Sequence, residues 1–472
     1  MPLVAGVDSS TQSCKLEVRD AETGALVRSG QLPHPPTTPP RSEQEPAAWW
    51  DALSSLLTDH GDGVAGLSVG GQQHGMVVLD EALQVLRSAK LWNDTESAPQ
   101  ADALVRARGA QWWAESVGSV PVASFTVTKL AWLREHERDT FDHVAHVLLP
   151  HDWLTLQLTG ELVTDRGDAS GTGYWSPEAG EYVADVFALL RLDPDVAPRV
   201  LGPREVAGTH GDLVVGPGTG DNMGAALGLG LQEGDVAISL GTSGTVFAVS
   251  PHATSDATGA VAGFADATGR FLPLVCTLNA TMVTDTMARL LGRERDEFER
   301  LALAARPGAD GVVLVPYFDG ERTPNLPEAA GAIGGLRSDT SPESLARAAY
   351  EGVVCNLLDA FDALGRAGVP TGSGRVLLVG GGARSAVYPQ LFADLMQRPV
   401  LVPEPAQYVA RGAAVQAAAV LASRDVADVA QEWAPTDTRV VEPAGSVDAA
   451  AVRSAYREAA SARAGTAERM GS

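Results

Sequence analysis

At 472 residues the chain exceeds what one ordinary core holds, so two domains are expected. Its 45% hydrophobic and 20% charged residues are those of a globular protein, and a formal charge of −24 disfavours non-specific binding to nucleic acid or anionic lipid, whose phosphates it would repel. Cys14, Cys276 and Cys355 are too few and too far apart for a metal spacing or a disulfide framework and fit a reducing cytoplasm, and neither a basic leader nor a bilayer-length apolar run occurs.

In chain order, Leu3 to Asp8 is an apolar run ending in Ser9-Ser10-Thr11-Gln12-Ser13. Residues 15–19 alternate in part, and a turn at 21–24 precedes 25–28, so three short antiparallel strands joined by hairpins are predicted. Pro33 to Pro40 reads as an ordered loop or extended connector. Trp49, Trp50, Leu53, Leu56 and Leu57 lie at helical spacing, and Val64 to Val69 suits a buried strand. Helical stretches around 96–106 and 129–137 follow, and the first half closes in a Gly-rich piece near Gly230. A second opening starts at Asp235: a strand over 236–240, a turn at Gly241-Thr242-Ser243-Gly244, and a strand over 245–249. Both heads share one plan, apolar strand, tight Ser/Thr/Gly turn, apolar strand, which suggests a duplicated domain with a cleft between the copies. Farther on, Ser341, Pro342 and the capping-box acid Glu343 begin a long helix whose apolar stripe runs from Leu345 to Leu364. A buried strand over 375–379 runs into Gly380-Gly381-Gly382-Ala383-Arg384-Ser385, and the tail predicts one helix that frays by Gly465. The expected division is 1–232, 233–445, and a C-terminal helix and tail over 446–472.

Several segments are candidates for chemistry, each beside a plainer alternative. Small side chains in the turns Ser9–Ser13 and Gly241–Gly244 let amide N–H groups and hydroxyls approach an anion, although either could be a polar hairpin. Asp8 beside such a turn would suit water-bridged Mg²⁺, or could cap the turn. Gly380-Gly381-Gly382 leaves a bare surface for a purine, with Ser385 starting the next helix, or serves packing alone; neither the dinucleotide fingerprint nor a P-loop occurs. Asp221, after Gly218-Thr219-Gly220, is either a helix cap or a general base, with Asn222 hydrogen-bonding another hydroxyl. Gln72, Gln73 and His74 between glycines, with Leu91-Trp92-Asn93-Asp94, suit the reading of sugar hydroxyls. Nine histidines without close pairing argue against a metal site built on them.

Collected in this order, the motifs resemble the FGGY carbohydrate kinase family, and most its xylulokinases, from Val4 to about Ala418. Residues 124–132 are similar to the family's first signature and 331–351 to its second, which departs at Ser344. GQQHG, LWND, LLPHDWLTLQLTGELVTDRGDASGT, GDN, SLGTSGTVFAVS, GERTP and VGGGARS carry the xylulokinase likeness. The resemblance implies an α/β, actin-like ATPase fold of two ribonuclease-H-like domains, with ATP between them and sugar mainly on the first. By motif, Asp221 is implied as general base and Asp8 as organiser of Mg²⁺, through water. Thr11 and Gln12, with Ser10 and Lys15 in the same stretch and Thr242 opposite, would serve the phosphates, and Gly381, Gly382 and Ser385 the adenosine. Gln73, His74, Trp92, Asn93, Asp221 and Asn222 would face the sugar. The implied reaction is phosphorylation of the ketopentose D-xylulose to its 5-phosphate by MgATP as the cleft closes. Ribulokinase or polyol kinase activity, or an actin-like ATPase without a sugar, are the alternatives. A homodimer is what the family suggests, with no nucleic acid or membrane partner. Ser10 where the family has glycine, Gln73 where many xylulokinases have Met, Thr219 where glycine is common, and Thr95-Glu96 after LWND are departures.

Overall fold

The computed structural model describes residues 2–470, with side chains to Arg463. The chain divides into two units. The first comprises residues 1–232, 249–273 and 406–434, and the second 233–248, 274–405 and 435–472.

The first unit is built on strands β1 (Leu3–Ser9), β2 (Ser13–Asp20), β3 (Leu26–Pro33), β4 (Val64–Gly71), β5 (Gly208–His210), β6 (Leu213–Val215) and β7 (Thr219–Gly220). Their order is β5-β6-β4-β1-β2-β3, with β7 also on β4. As the hairpin pattern predicts, β1–β2–β3 is an antiparallel meander, whereas β4 pairs parallel to β1. Val4, Ala5, Val7, Leu67 and Val69 have no exposed surface, because helices cover both faces. On one face lies the helix Pro46–His60, whose Trp49, Leu53 and Leu56 are buried at helical spacing. Trp49 meets Trp153 of the helix Pro150–Thr159 edge-on, with centroids 6.2 Å apart.

The other face is covered by Tyr408–Ala422, a helix with eight Ala or Gly among its 15 residues that returns to the first unit from far down the chain. Small residues allow backbone-to-backbone approach. A Cβ at Gly6 would lie 1.9 Å from the Ala410 carbonyl oxygen, and one at Gly412 1.8 Å from that of Gly224. The linear division expected at 232/233 therefore marks one junction only. Residues 249–273 and 406–434 fold with the first unit, the latter because β1 and β4 need this thin cover.

The second unit repeats the plan with β8 (Val236–Leu240), β9 (Gly244–Ala248), β10 (Phe271–Thr277, of which residues 274–277 belong to this unit), β11 (Val376–Val379), β12 (Val400–Pro403) and β13 (Thr438–Val441), in the order β10-β9-β8-β11-β12-β13. Again the leading strand pairs antiparallel to its hairpin partner and parallel to a later strand, β11. The long helix is Pro342–Arg366, and the Ser341 hydroxyl accepts from the Ser344 amide. The capping box is absent: Glu343 falls one residue short of the position facing the cap, where Ser344 instead donates to Asp310. The C-terminal helix Ala449–Met470 continues past Gly465, since one glycine costs only about 1 kcal/mol among good helix formers. Residues 471–472 of the expected frayed tail lie outside the described residues. Among the described residues no helix is long and apolar enough to cross a membrane, and the three cysteines form no disulfide.

Candidate active site

In the first unit three parallel strands end at one rim. Asp8 of β1 stands opposite Gly70 of β4, Thr219 of β7 also pairs with Gly70, and Gly220 pairs with Gly71. The segments leaving these strand ends, 10–12, 72–74 and 221–222, are thereby brought together at the carboxyl edge of the sheet, where ligands of open α/β sheets bind.

Asp221 opens the helix Asp221–Gly228. Its Oδ1 accepts from the Asn222 amide at 2.8 Å and from Asn222 Nδ2 at 3.0 Å, while Oδ2 accepts no hydrogen bond among the described residues. Burial first, and the Asp8 charge second, push its carboxyl up to about 7. Asn222 Nδ2 also donates to Gln73 Oε1 at 3.0 Å, and Gln73 Nε2 is buried with no partner among the described residues. Gln73 packs so closely on the strand that a Cβ at Gly220 would lie 2.7 Å from its Cγ. The departure at 73 thus gives the rim a polar pair, Gln73–Asn222. His74 has a left-handed backbone (φ 66°), lies 2.6 Å from the Gly171 carbonyl through Nδ1, and stacks on Phe125 with centroids 4.9 Å apart.

Asp8 Oδ2 accepts from Lys15 Nζ at 2.9 Å, a bond set by their cross-strand register, while its Oδ1 is buried without a partner among the described residues. Burial pushes the Asp8 carboxyl above its ordinary value, with Lys15 opposing. A buried carboxylate oxygen left unmatched beside an anion-sized turn fits a divalent cation or its water. Ser10 avoids the left-handed region, so the loss of a glycine there brings no backbone strain. The Thr11 hydroxyl donates to Gln72 Oε1 and accepts from Trp92 Nε1, at 3.0 and 2.9 Å, so an anion would meet its amide and not its hydroxyl. Trp92 is 42% exposed, and the Asn93 side-chain oxygen is buried without a partner among the described residues. Behind them Lys90, fully buried, binds Asp94 at 3.1 Å and Glu96 at 2.5 Å over the Trp132 ring. The acid at 96 is thus consumed in holding the 91–94 loop.

Sequence reasoning missed the buried polar support of Asp221. His151 has no exposed surface and meets Asp168 at 2.6 Å, Asp152 at 3.2 Å and Asp165 at 3.9 Å. Burial opposes its charge, but the carboxylates outweigh this and hold the ring protonated, at about 10. Asp165 accepts from the Thr219 hydroxyl at 2.9 Å, directly before Gly220-Asp221. Gln416, from the returning helix, accepts from Ser68 and the Gly218 amide and donates to the Gly218 carbonyl. The detectable signal was three acids and a histidine set in an apolar stretch, and one glutamine in an alanine helix.

In the second unit Thr242 is exposed at the tip of the β8–β9 turn. The Ala280 amide binds its carbonyl, and the Thr281 amide and hydroxyl bind that of Gly241. The Gly380–Gly382 turn packs beside the end of β8, for a Cβ at Gly382 would lie 2.8 Å from Leu240 Cβ, while one at Gly381 meets nothing within 4 Å among the described residues. Ser385 Oγ accepts from the amides of Val387 and Tyr388 at the start of the next helix, as expected.

Residues 3–225 match the N-terminal domain of the FGGY family of carbohydrate kinases, and residues 236–421 its C-terminal domain. The chain belongs to this family. This FGGY kinase is similar to the xylulose kinase of Streptomyces coelicolor, 51% identical with 92% of this chain and 91% of that protein covered. The xylulose kinase of Streptomyces rubiginosus is 49% identical over 93% and 92% of the two chains. Among solved structures, xylulose kinase from Bifidobacterium adolescentis aligns with a TM-score of 0.86 at 42% identity, covering 97% of this chain and 99% of that one. The FGGY kinase therefore has the actin-like ATPase fold and is an ATP-dependent carbohydrate kinase, with ATP as co-substrate.

Proposed function

We propose that the enzyme phosphorylates D-xylulose to D-xylulose 5-phosphate in the cytoplasm, with Asp221 as general base. The observation that carries the mechanism is the Asp221 carboxyl. One oxygen is fixed by Asn222, the other accepts from no other residue among the described residues, and the pKa of the carboxyl is raised to about 7. A base is most effective when its pKa lies near the working pH, and phosphoryl transfer asks the protein chiefly to position groups and balance charge. The terminal sugar hydroxyl gives its proton to Asp221 Oδ2 as its oxygen bonds to the γ-phosphorus, and the bond from that phosphorus to the departing ADP oxygen breaks. Gln73 and Asn222 orient the sugar through their amides, with His74, Trp92 and Asn93 beside them. The amides of Thr11 and Gln12, with Ser10, Lys15 and Thr242, serve the phosphates. Gly381, Gly382 and Ser385 serve the adenosine. Asp8, with its unmatched Oδ1, would hold Mg²⁺ through water, and the ion would supply charge balance at the phosphates. The 5-hydroxyl of a ketopentose is proposed on the strength of the two Streptomyces relatives named xylulose kinase. A panel of ketoses and polyols assayed for ADP release tests this. D-Xylulose should give the highest kcat/KM, and a higher value for D-ribulose or glycerol would overturn the assignment.

A further inference from the structure

The turn proposed to take phosphate is held from behind by a histidine that neither the mechanism nor the motifs use. His34 follows Pro33 and precedes Pro35, which confines it to extended backbone. It is 6% exposed. Its amide donates to the Gln12 carbonyl at 2.8 Å, and its ring Nδ1 lies 2.8 Å from the Ser10 carbonyl. A carbonyl partner requires the proton on Nδ1. Between these two bonds, the Thr11 carbonyl accepts from Gln44 Nε2 at 2.9 Å, and Trp49 Nε1 donates to Gln44 Oε1 at 2.8 Å, which fixes the orientation of that amide. The Ser13 carbonyl accepts from the Ser10 amide and hydroxyl, both at 3.0 Å.

In a trans peptide C=O and N–H point in opposite directions. Binding the Ser10 carbonyl to His34 therefore aims the Thr11 amide away from the clamp, and binding the Thr11 carbonyl to Gln44 does the same for the Gln12 amide. Neither amide has an acceptor among the described residues. Consecutive amides turned one way form an anion-binding concavity. We infer that His34, through its Nδ1–H bond to the Ser10 carbonyl, is a positioning residue that presets this turn for a polyphosphate. The Pro-rich connector is thus the rigid mount of the clamp. The inference rests on the reading that residues 10–12 serve ATP phosphates.

The test uses the full chain carrying His34→Ala, His34→Asn and His34→Gln. Calorimetry gives the affinities for ATP, adenosine and D-xylulose, and steady-state rates give KM for each substrate. Losing one buried hydrogen bond corresponds to about a tenfold change in affinity. His34→Ala is expected to weaken ATP binding about tenfold while adenosine and sugar stay within about twofold. His34→Asn, whose Nδ2 lies where Nδ1 was, should recover most of the loss, and His34→Gln, one carbon longer, should not. Should the Ala protein fail to fold, the ratio of ATP affinities between the Asn and Gln proteins is the readout. Unchanged ATP affinity, a parallel loss of adenosine and sugar, or equal Asn and Gln proteins would overturn the clamp. A wild-type protein that bound no ATP would overturn the kinase reading of the turn instead.

Discussion

Replacing Asp221 by Asn is expected to end turnover and, at the same time, to stabilise the folded protein. Burial and the neighbouring Asp8 charge move the Asp221 carboxyl from an ordinary 3.8 to about 7. Because the folded state holds this proton more tightly than the unfolded chain, no cost exists below about pH 4. Stability is lost as the pH rises from there to about 7, and the loss is constant above that. The full displacement corresponds to about 4 kcal/mol. The residue is only partly buried, so screening reduces this to about 2 kcal/mol. Asn carries no charge, and its carbonyl oxygen can still accept both bonds from Asn222. At about 2–4 °C per kcal/mol, the melting temperature should rise by about 5 °C at about pH 8, with a gain that shrinks towards about pH 5. Differential scanning fluorimetry of both proteins across this range, with ADP release measured in parallel, checks both halves. An unchanged or lower melting temperature at alkaline pH would refute the electrostatic argument. Near-normal turnover would refute the assignment of the base.

For the wild-type enzyme, kcat/KM should fall about tenfold per pH unit below about pH 7 as Asp221 takes up a proton; a profile flat to about pH 5 contradicts this. Gln73→Met removes the acceptor for Asn222 and should raise KM for the sugar about fivefold while KM for ATP holds, as initial-rate kinetics will read. His151→Leu leaves Asp152, Asp165 and Asp168 without their cation and should cost about 3–5 kcal/mol in urea unfolding. Gly6→Ala forces a methyl against the Ala410 carbonyl and should cost about 3 kcal/mol or give insoluble protein, measured by the same unfolding curve.

Much of the sheet was legible because its residues carry short-range signals. The apolar run from Leu3 ends in a tight polar turn, and the same plan recurs at Val236, so both meanders could be placed. The turn residues Thr11, Thr242 and Gly381 were likewise visible from the small side chains around them. What could not be read was long-range. Nothing local in residues 408–422 says that an alanine-rich helix lies on β1, because the information resides in matching surfaces such as Gly6 against Ala410 and Gly412 against Gly224. His151 and Gln416 were missed for the same reason. A buried polar residue is recognised only through partners that lie far along the chain, such as Gly218 for Gln416. His34 sat in view within its prolines, yet its role emerges only from the carbonyl it holds.

The return of residues 406–434 to the first unit also governs how the protein can be made. A ribosome emitting the chain from its start has released β1 and β4 long before Tyr408–Ala422 exists to cover them. Until then one apolar surface of the nascent sheet stays open to solvent, to chaperones and to other unfinished chains. A fragment cut at Gln232 would keep every residue of the proposed sugar site and still lack its lid of backbone, so the minimal expressible sugar-binding piece must splice the late helix onto the early sheet.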